Sequence, residues 1–316
     1  MRREGTGRRT IQEQVGSGMR HRAGPGGDAQ VSDWLAELGI AGITDLHVHF
    51  MPDRVQQKVW GFFDEVAASG APAWPIHYRL PLQERIEVLA GLGVRNFSSL
   101  NYAHRPGMAQ WLNDFSTTLA QDHAQVIHSA TFFPEPQAPA VVQRALDSGA
   151  RIFKIHVQVG GFCVLDPRLE EAWRLVEQAG APVVIHCGHG PHPGTFTGIA
   201  PIRRLIERHP GLVLIIAHAG LPDYLPFAEL AHKHRNVYLD TTMVGTSYMQ
   251  QLFPVPPDYA RILHGLAGKV VLGSDFPSIP YPYSHQLQVL NDWGLGAEWL
   301  AGALWHTPRE LVGLPA

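Results

Sequence analysis

Eight short apolar runs recur along the chain, each separated from the next by a segment with helical spacing. The runs are 43–50 (ITDLHVHF), 94–100 (VRNFSSL), 126–133 (VIHSATFF), 151–157 (RIFKIHV), 182–187 (PVVIHC), 212–218 (LVLIIAH), 236–242 (NVYLDTT) and 269–275 (KVVLGSD). They are rich in Val and Ile and have the length of strands. Helical spacing marks 81–92, 107–122, 139–148, 167–180, 199–208, 223–234 and 258–266, and several of these segments end at Gly, as helices often do. Alternating βα units imply a parallel sheet, and eight of them imply an α/β protein with a single closed (β/α)8 TIM barrel. A doubly wound open sheet is the alternative, but no Gly-x-Gly-x-x-Gly turn follows any run.

A chain of 316 residues suits one such barrel, and no linker divides it. The expected domain covers 31–316. Residues 1–30 are Gly- and Arg-rich without periodicity and are expected to form a disordered N-terminal arm; translation could start at Met1 or at Met19. The stretch 51–80 is longer than an ordinary βα loop and carries Trp60, Phe62, Phe63, Trp74 and Tyr78. It is an insertion after the first strand, expected to act as a lid over the barrel mouth or as a homodimer contact.

A net charge of −3 gives no basic surface for nucleic acid or anionic membrane. No run reaches the ~18 apolar residues of a membrane span. The pairs Arg2-Arg3 and Arg8-Arg9 are not followed by the apolar stretch of an export signal. Cys163 and Cys187 are the only cysteines, too few for a disulfide framework, which fits a reducing cytoplasm.

Barrels of this kind place their active sites at the C-terminal ends of the strands, so polar residues there carry the information. The first run ends in His47 and His49. The fourth carries Lys154 and His156, the fifth ends at His186, the sixth at His218 and the eighth at Asp275. Residues i and i+2 of a strand share a face ~6.6 Å apart, so His47 and His49 can converge on one ion. A second His-x-His pair, His232 and His234, lies near a helix end, where i and i+2 diverge; it reads as solvated surface. Imidazoles at His47, His49 and His186 with the Asp275 carboxylate suit one divalent metal ion, zinc first, with manganese, iron or cobalt also compatible. The bland alternatives are hydrogen-bonded core histidines and, for Asp275, a helix N-cap.

The same residues carry a resemblance. His-x-His on strand one, His on strands five and six and Asp on strand eight resemble the amidohydrolase superfamily. "DLHVHFMP", "VVIHCG", "LIIAHAG", "VLGSDFP" and "YAHRPGMAQWLNDF" are similar in style to its amidohydrolase-related branch, which includes aminocarboxymuconate semialdehyde decarboxylase. The likeness runs over roughly 42–312. It implies that His47, His49, His186 and Asp275 bind the metal and that His218 stands beside the nucleophilic water as acid, base or electrostatic anchor. Binuclear relatives instead use the strand-six histidine for a second metal and a strand-four carboxylated lysine as a bridge, which brings Lys154 into question. The preferred reading is a buried Lys154–Asp45 ion pair one layer below the metal, with Asp45 as support and His156 as the rim residue contacting substrate.

Two reactions follow. A metal-dependent hydrolase would open an amide, a lactone or a similar bond of a small molecule, with Asp275 as ligand and base and His218 stabilising developing charge. A non-oxidative carboxy-lyase would need cations for a substrate carboxylate, and Arg105, Lys154 and Arg79 are the candidates. A catalytically inactive, metal-free binding barrel is the third class. His189 and His192, on the loop after the fifth run, are candidates to meet substrate but read first as solvated loop side chains, and Tyr102 and His104, just after the second run, share that ambiguity.

Overall fold

The computed structural model describes residues 23–66 and 72–315. The strands are β1 (Ile43–Asp45), β2 (Val94–Ser98), β3 (Val126–Ile127), β4 (Ser129–Thr131), β5 (Ile152–His156), β6 (Val183–His186), β7 (Leu214–Ile216), β8 (Val237–Asp240) and β9 (Val270–Val271). All ladders are parallel, in the orders β1-β2-β3 and β4-β5-β6-β7-β8-β9. β3 and β4 are two halves of one stave, interrupted at His128, whose ring turns to Thr117 Oγ1 (2.9 Å) on the helix Ala109–Asp122. The seam between first and last staves closes through Leu46 N–H to Leu272 O (3.2 Å), Asp275 N–H to His47 O (2.8 Å) and His49 N–H to Phe276 O (2.8 Å). The eight expected staves are therefore present and form a barrel.

Two apolar layers explain why this closure is stable. One small cluster takes a residue from each stave: Leu46, Leu100, Ile127, Ile152, Val184, Ile215, Tyr238 and Val271, joined by Val312 near the C-terminus. That layer fills the barrel below the site, as barrel interiors must be filled by side chains. The larger cluster lies between strands and helices. In the helix Glu170–Ala179, Ala172, Trp173 and Val176 recur at helical spacing and are buried, each large side chain contributing ~1.5–3 kcal/mol. Gly180, with φ +64°, ends that helix in the left-handed conformation.

The insertion after β1 forms the helix Asp53–Val66. Its aromatic residues dock on the segment beyond β9: Trp74 Nε1 donates to Ser278 O (2.7 Å), His77 N–H to Ile279 O (2.9 Å), and the Trp74 ring stacks on Phe63 at 4.9 Å. The insertion thus packs against the loop at the C-terminal end of the last stave. Of the arm expected over 1–30, residues 1–22 lie outside the described residues. Residues 28–30 form a 3-10 turn, and Asp28 accepts hydrogen bonds from the Ser284 N–H (2.9 Å) and from Tyr78 Oη, so the last residues assigned to the arm pack on the barrel. Among the described residues no helix is long and apolar enough to cross a membrane.

Candidate functional site

The extended chain beyond β1 delivers His47 and His49 to the C-terminal mouth of the barrel. Three histidines there are oriented in the same way. His47 Nδ1 lies 2.8 Å from Asp240 Oδ2 and 3.1 Å from Thr242 Oγ1. His49 Nδ1 donates to Leu100 O (2.9 Å), and His218 Nδ1 donates to Thr242 O (3.2 Å). A carbonyl can only accept, and so can an ionised carboxylate, so the carbonyls facing His49 and His218 and the Asp240 carboxylate facing His47 put the proton of these rings on Nδ1 and the lone pair on Nε2. Each Nε2 faces Asp275. His49 Nε2 is 2.9 Å from Oδ1, His47 Nε2 is 3.4 Å from Oδ1, and His218 Nε2 is 4.0 Å from Oδ2. The ligand atoms of His47, His218 and Asp275 all lie within 4.8 Å of one another.

That arrangement fits a metal ion. Two lone-pair atoms at 2.9 Å repel unless a cation, whether a proton or a metal ion, lies between them. Donors each ~2.1 Å from one ion, at roughly 90–110° to each other, stand ~3.0–3.4 Å apart, close to the separations of Asp275 Oδ1 from His49 and His47. The Asp240 carboxylate behind His47 is the kind of outer partner that fixes a ligand's tautomer.

Burial is the largest influence on the charges. It pushes His47, His156, His186 and His218 below the ordinary imidazole range, His218 to about 4, so all four are neutral at pH 7. Burial also opposes ionisation of Asp275, but the positive charge of a protonated His47 and a hydrogen bond donated by His49 more than offset it and hold this carboxyl well below its usual range; with neutral rings, a metal ion at the same nitrogens would supply that charge. Burial lowers Lys154 to about 8 despite the attraction of Asp240 and Asp275. The Tyr102 phenol, at the mouth beside His49 and His156, is pushed up to about 12 by burial and then by Asp275.

Local backbone makes the site possible. Asp275 has φ +68°, a left-handed conformation that Asp tolerates better than most residues. It turns the carboxylate toward the histidines as the last stave ends. Gly273, two residues earlier, runs so close beneath them that a Cβ would meet Thr242 Oγ1 at 2.1 Å and His47 Cβ at 2.7 Å.

The candidates expected from the sequence separate into groups. His47, His49, His218 and Asp275 are together. His186 stands at the same rim, stacked on His156 at 3.9 Å and with its ring 4.8 Å from His218, but its Nε2 donates to Gly190 O (3.0 Å). The expected Lys154–Asp45 ion pair is not formed. Lys154 Nζ lies 2.9 Å from His47 Nε2 instead. Asp45 accepts hydrogen bonds from the His47 N–H (3.0 Å) and from Tyr283 Oη (2.8 Å), on the helix Tyr283–Asp292, and burial raises its pKa to about 6. Asp45 therefore ties the strand to a surrounding helix rather than supporting Lys154. Arg79 is committed to Asp64 on the surface, and Arg105 is exposed on the loop after β2. His189 pairs with Asp223. His232 is exposed in the last turn of the helix Tyr224–Lys233, away from any ligand cluster among the described residues.

Asp240 is the residue that sequence reasoning missed. Its Oδ2 holds His47, while its Oδ1 accepts from the backbone N–H groups of His218 (2.7 Å) and Thr242 (3.1 Å). The signal was present, since "NVYLDTT" ends the seventh apolar run on a carboxylate.

The family profile described as amidohydrolase matches residues 44–314. A search of curated proteins finds no match. Among solved structures, the chain is similar to an uncharacterised TIM-barrel protein from Bordetella bronchiseptica (20% identity, TM-score 0.66, 86% of this chain and 98% of that one). It is similar to 5-carboxyvanillate decarboxylase from Novosphingobium aromaticivorans, complexed with manganese and 4-hydroxy-3-methoxy-5-nitrobenzoic acid (13%, 0.58, 94% and 100%). It is also similar to a probable 2-pyrone-4,6-dicarboxylic acid hydrolase from Acinetobacter baumannii with citric acid bound (13%, 0.57, 86% and 100%). At these identities the likeness shows the fold.

Proposed function

Because the chain belongs to the amidohydrolase family, we propose that it is a hydrolase dependent on one divalent metal ion, zinc first, acting on a C–N or C–O bond of a small molecule. The observation that carries this reading is the set of Nε2 lone pairs from His47, His49 and His218 turned on the ionised Asp275. His47, His49 and Asp275 would hold the ion. The resemblance supports His186 as the fourth ligand, and the closeness of His218 to His47 and Asp275 supports His218; the metal content of His186→Ala and His218→Ala separates the two. A bound divalent ion would polarise a scissile carbonyl and bring the pKa of water toward ~7.

The protein's own groups handle the protons. Asp275, ionised and facing three imidazoles, takes the proton of the attacking water. Where His186 completes the ligand set, neutral His218, its Nε2 4.0 Å from Asp275 Oδ2, keeps its lone pair free to relay that proton to the leaving group, and the Thr242 carbonyl keeps its ring aimed; where His218 is itself a ligand, it holds the ion and Asp275 alone carries the proton. His156 and Tyr102 form the wall a substrate would meet.

One observation favours a second reading, a carboxy-lyase: Lys154 is a buried cation beside the ligand cluster, suited to holding a carboxylate. The test begins with metal content by plasma mass spectrometry, on wild type and on His47→Ala/His49→Ala. One equivalent, lost in the variant, is expected. Amides, lactones and aromatic acids are then screened in ¹⁸O-labelled water while carbon dioxide is followed. Label in the organic product supports hydrolysis, and carbon dioxide release with no label in the organic product supports the lyase. A wild type that takes up no metal on reconstitution overturns both.

A further inference from the structure

The group that stands against the metal-binding nitrogen of His47 is a lysine. We propose that Lys154 occupies the Nε2 lone pair of His47 until a metal ion displaces it, so that this lysine sets the metal affinity of the site. The inference rests on the metal-dependent reading above.

His47 has one lone pair to give. Its Nδ1 is committed to Asp240 Oδ2 at 2.8 Å and Thr242 Oγ1 at 3.1 Å, so the acceptor nitrogen is Nε2. Lys154 Nζ is 2.9 Å from it, at hydrogen-bonding distance, with both side chains buried. A lone pair that accepts this hydrogen bond cannot also coordinate an ion. Lys154 and a metal are mutually exclusive at His47.

The surroundings stabilise the lysine in that place. On β5 it sits between Ile152, in the apolar layer, and His156 at the rim, and the charges of Asp240 and Asp275 attract it. Those carboxylates would otherwise be left without a buried counter-charge. An incoming divalent ion must take over His47 and tolerate a like charge in a medium that screens poorly.

The experiment is zinc affinity at one fixed pH, by competition with a chromophoric chelator, and stoichiometry by plasma mass spectrometry. Wild type, Lys154→Met, Lys154→Gln and His47→Ala are compared, with melting curves for each. Lys154→Met keeps the length of the side chain without a donor or a charge and should bind zinc at least tenfold tighter, at one equivalent per chain. Lys154→Gln keeps a neutral donor and should fall between Lys154→Met and wild type. Equal or weaker affinity in a Lys154→Met protein that melts like wild type overturns it, while the metal reading stands if His47→Ala still loses zinc. If Lys154→Met does not fold, a Lys154→Gln affinity no tighter than wild type overturns it. A second equivalent that depends on bicarbonate and disappears in both Lys154 variants overturns it in favour of carboxylation. If no protein of the set binds zinc, the metal reading falls and takes the proposal with it.

Discussion

Replacing Asp240 by Asn should weaken metal binding while leaving the fold nearly as stable, and counting donors shows why. Asp240 accepts three hydrogen bonds: Oδ1 from the backbone N–H groups of His218 and Thr242, and Oδ2 from His47 Nδ1–H. An Asn with its oxygen in the Oδ1 position keeps both backbone bonds and sets its NH2 against one donor. The flipped amide sets NH2 against two. At ~1–3 kcal/mol for each unsatisfied buried donor, the first orientation wins. His47 then faces an amide N–H at 2.8 Å and relieves the clash by moving its proton to Nε2, which removes the lone pair a metal needs. Loss of such an orienting partner costs ~10–100-fold in metal affinity, or about 1.4–2.8 kcal/mol. Asp240→Ala would orphan all three donors and should lose ~3 kcal/mol or more of folding stability. Zinc competition titrations and denaturant unfolding read the two quantities separately. An Asp240→Asn protein that binds zinc within threefold of wild type would refute the argument, because His47 would then not be a ligand oriented by Asp240.

Three further outcomes are expected. Asp275→Asn, which Asn's tolerance of positive φ allows to fold, should retain part of its metal but lose turnover by at least ~100-fold through loss of the base; near-normal kcat would remove that role from Asp275. Gly273→Ala has no room for its Cβ between Thr242 and His47 and should cost ~1–3 kcal/mol as overpacking together with zinc affinity, which unfolding and metal titration would register. Asp45, whose folded pKa is raised from 3.8 to about 6, binds a proton in the folded state that the unfolded chain has already released. Its contribution is present below pH ~4 and is lost as pH rises through 6, roughly 3 kcal/mol in all. Wild type should therefore lose stability relative to Asp45→Asn between pH 4 and 6, and parallel pH profiles for the two would contradict the assignment.

The barrel was legible because its signals are local. Strand-length runs such as "PVVIHC" and helical stretches such as "PRLEEAWRLVEQAG" follow from side-chain periods of 2 and 3.6, and the helix Glu170–Ala179 and β6 lie where that periodicity puts them. The helix Tyr283–Asp292 went unread, since its buried face includes Tyr283, Ser284, Gln286 and Asn291, which carry no clean apolar period. The rim histidines were legible for the same local reason: they end apolar runs. Which nitrogen each histidine offers was not, because tautomers are set by partners far along the chain, His47 by Asp240 and His218 by Thr242 O. The partner of Lys154 was equally out of reach. Residue alternation suggested Asp45, but the chain beyond β1 leaves regular strand geometry, and Asp45 turns to Tyr283 while Lys154 meets His47. The sequence by itself therefore determined the eight-stave barrel and the list of chemically able residues at its mouth. The tertiary structure alone decided which lone pairs face one another and that Lys154 stands against His47, because hydrogen-bond geometry between distant segments exists only once the barrel has closed.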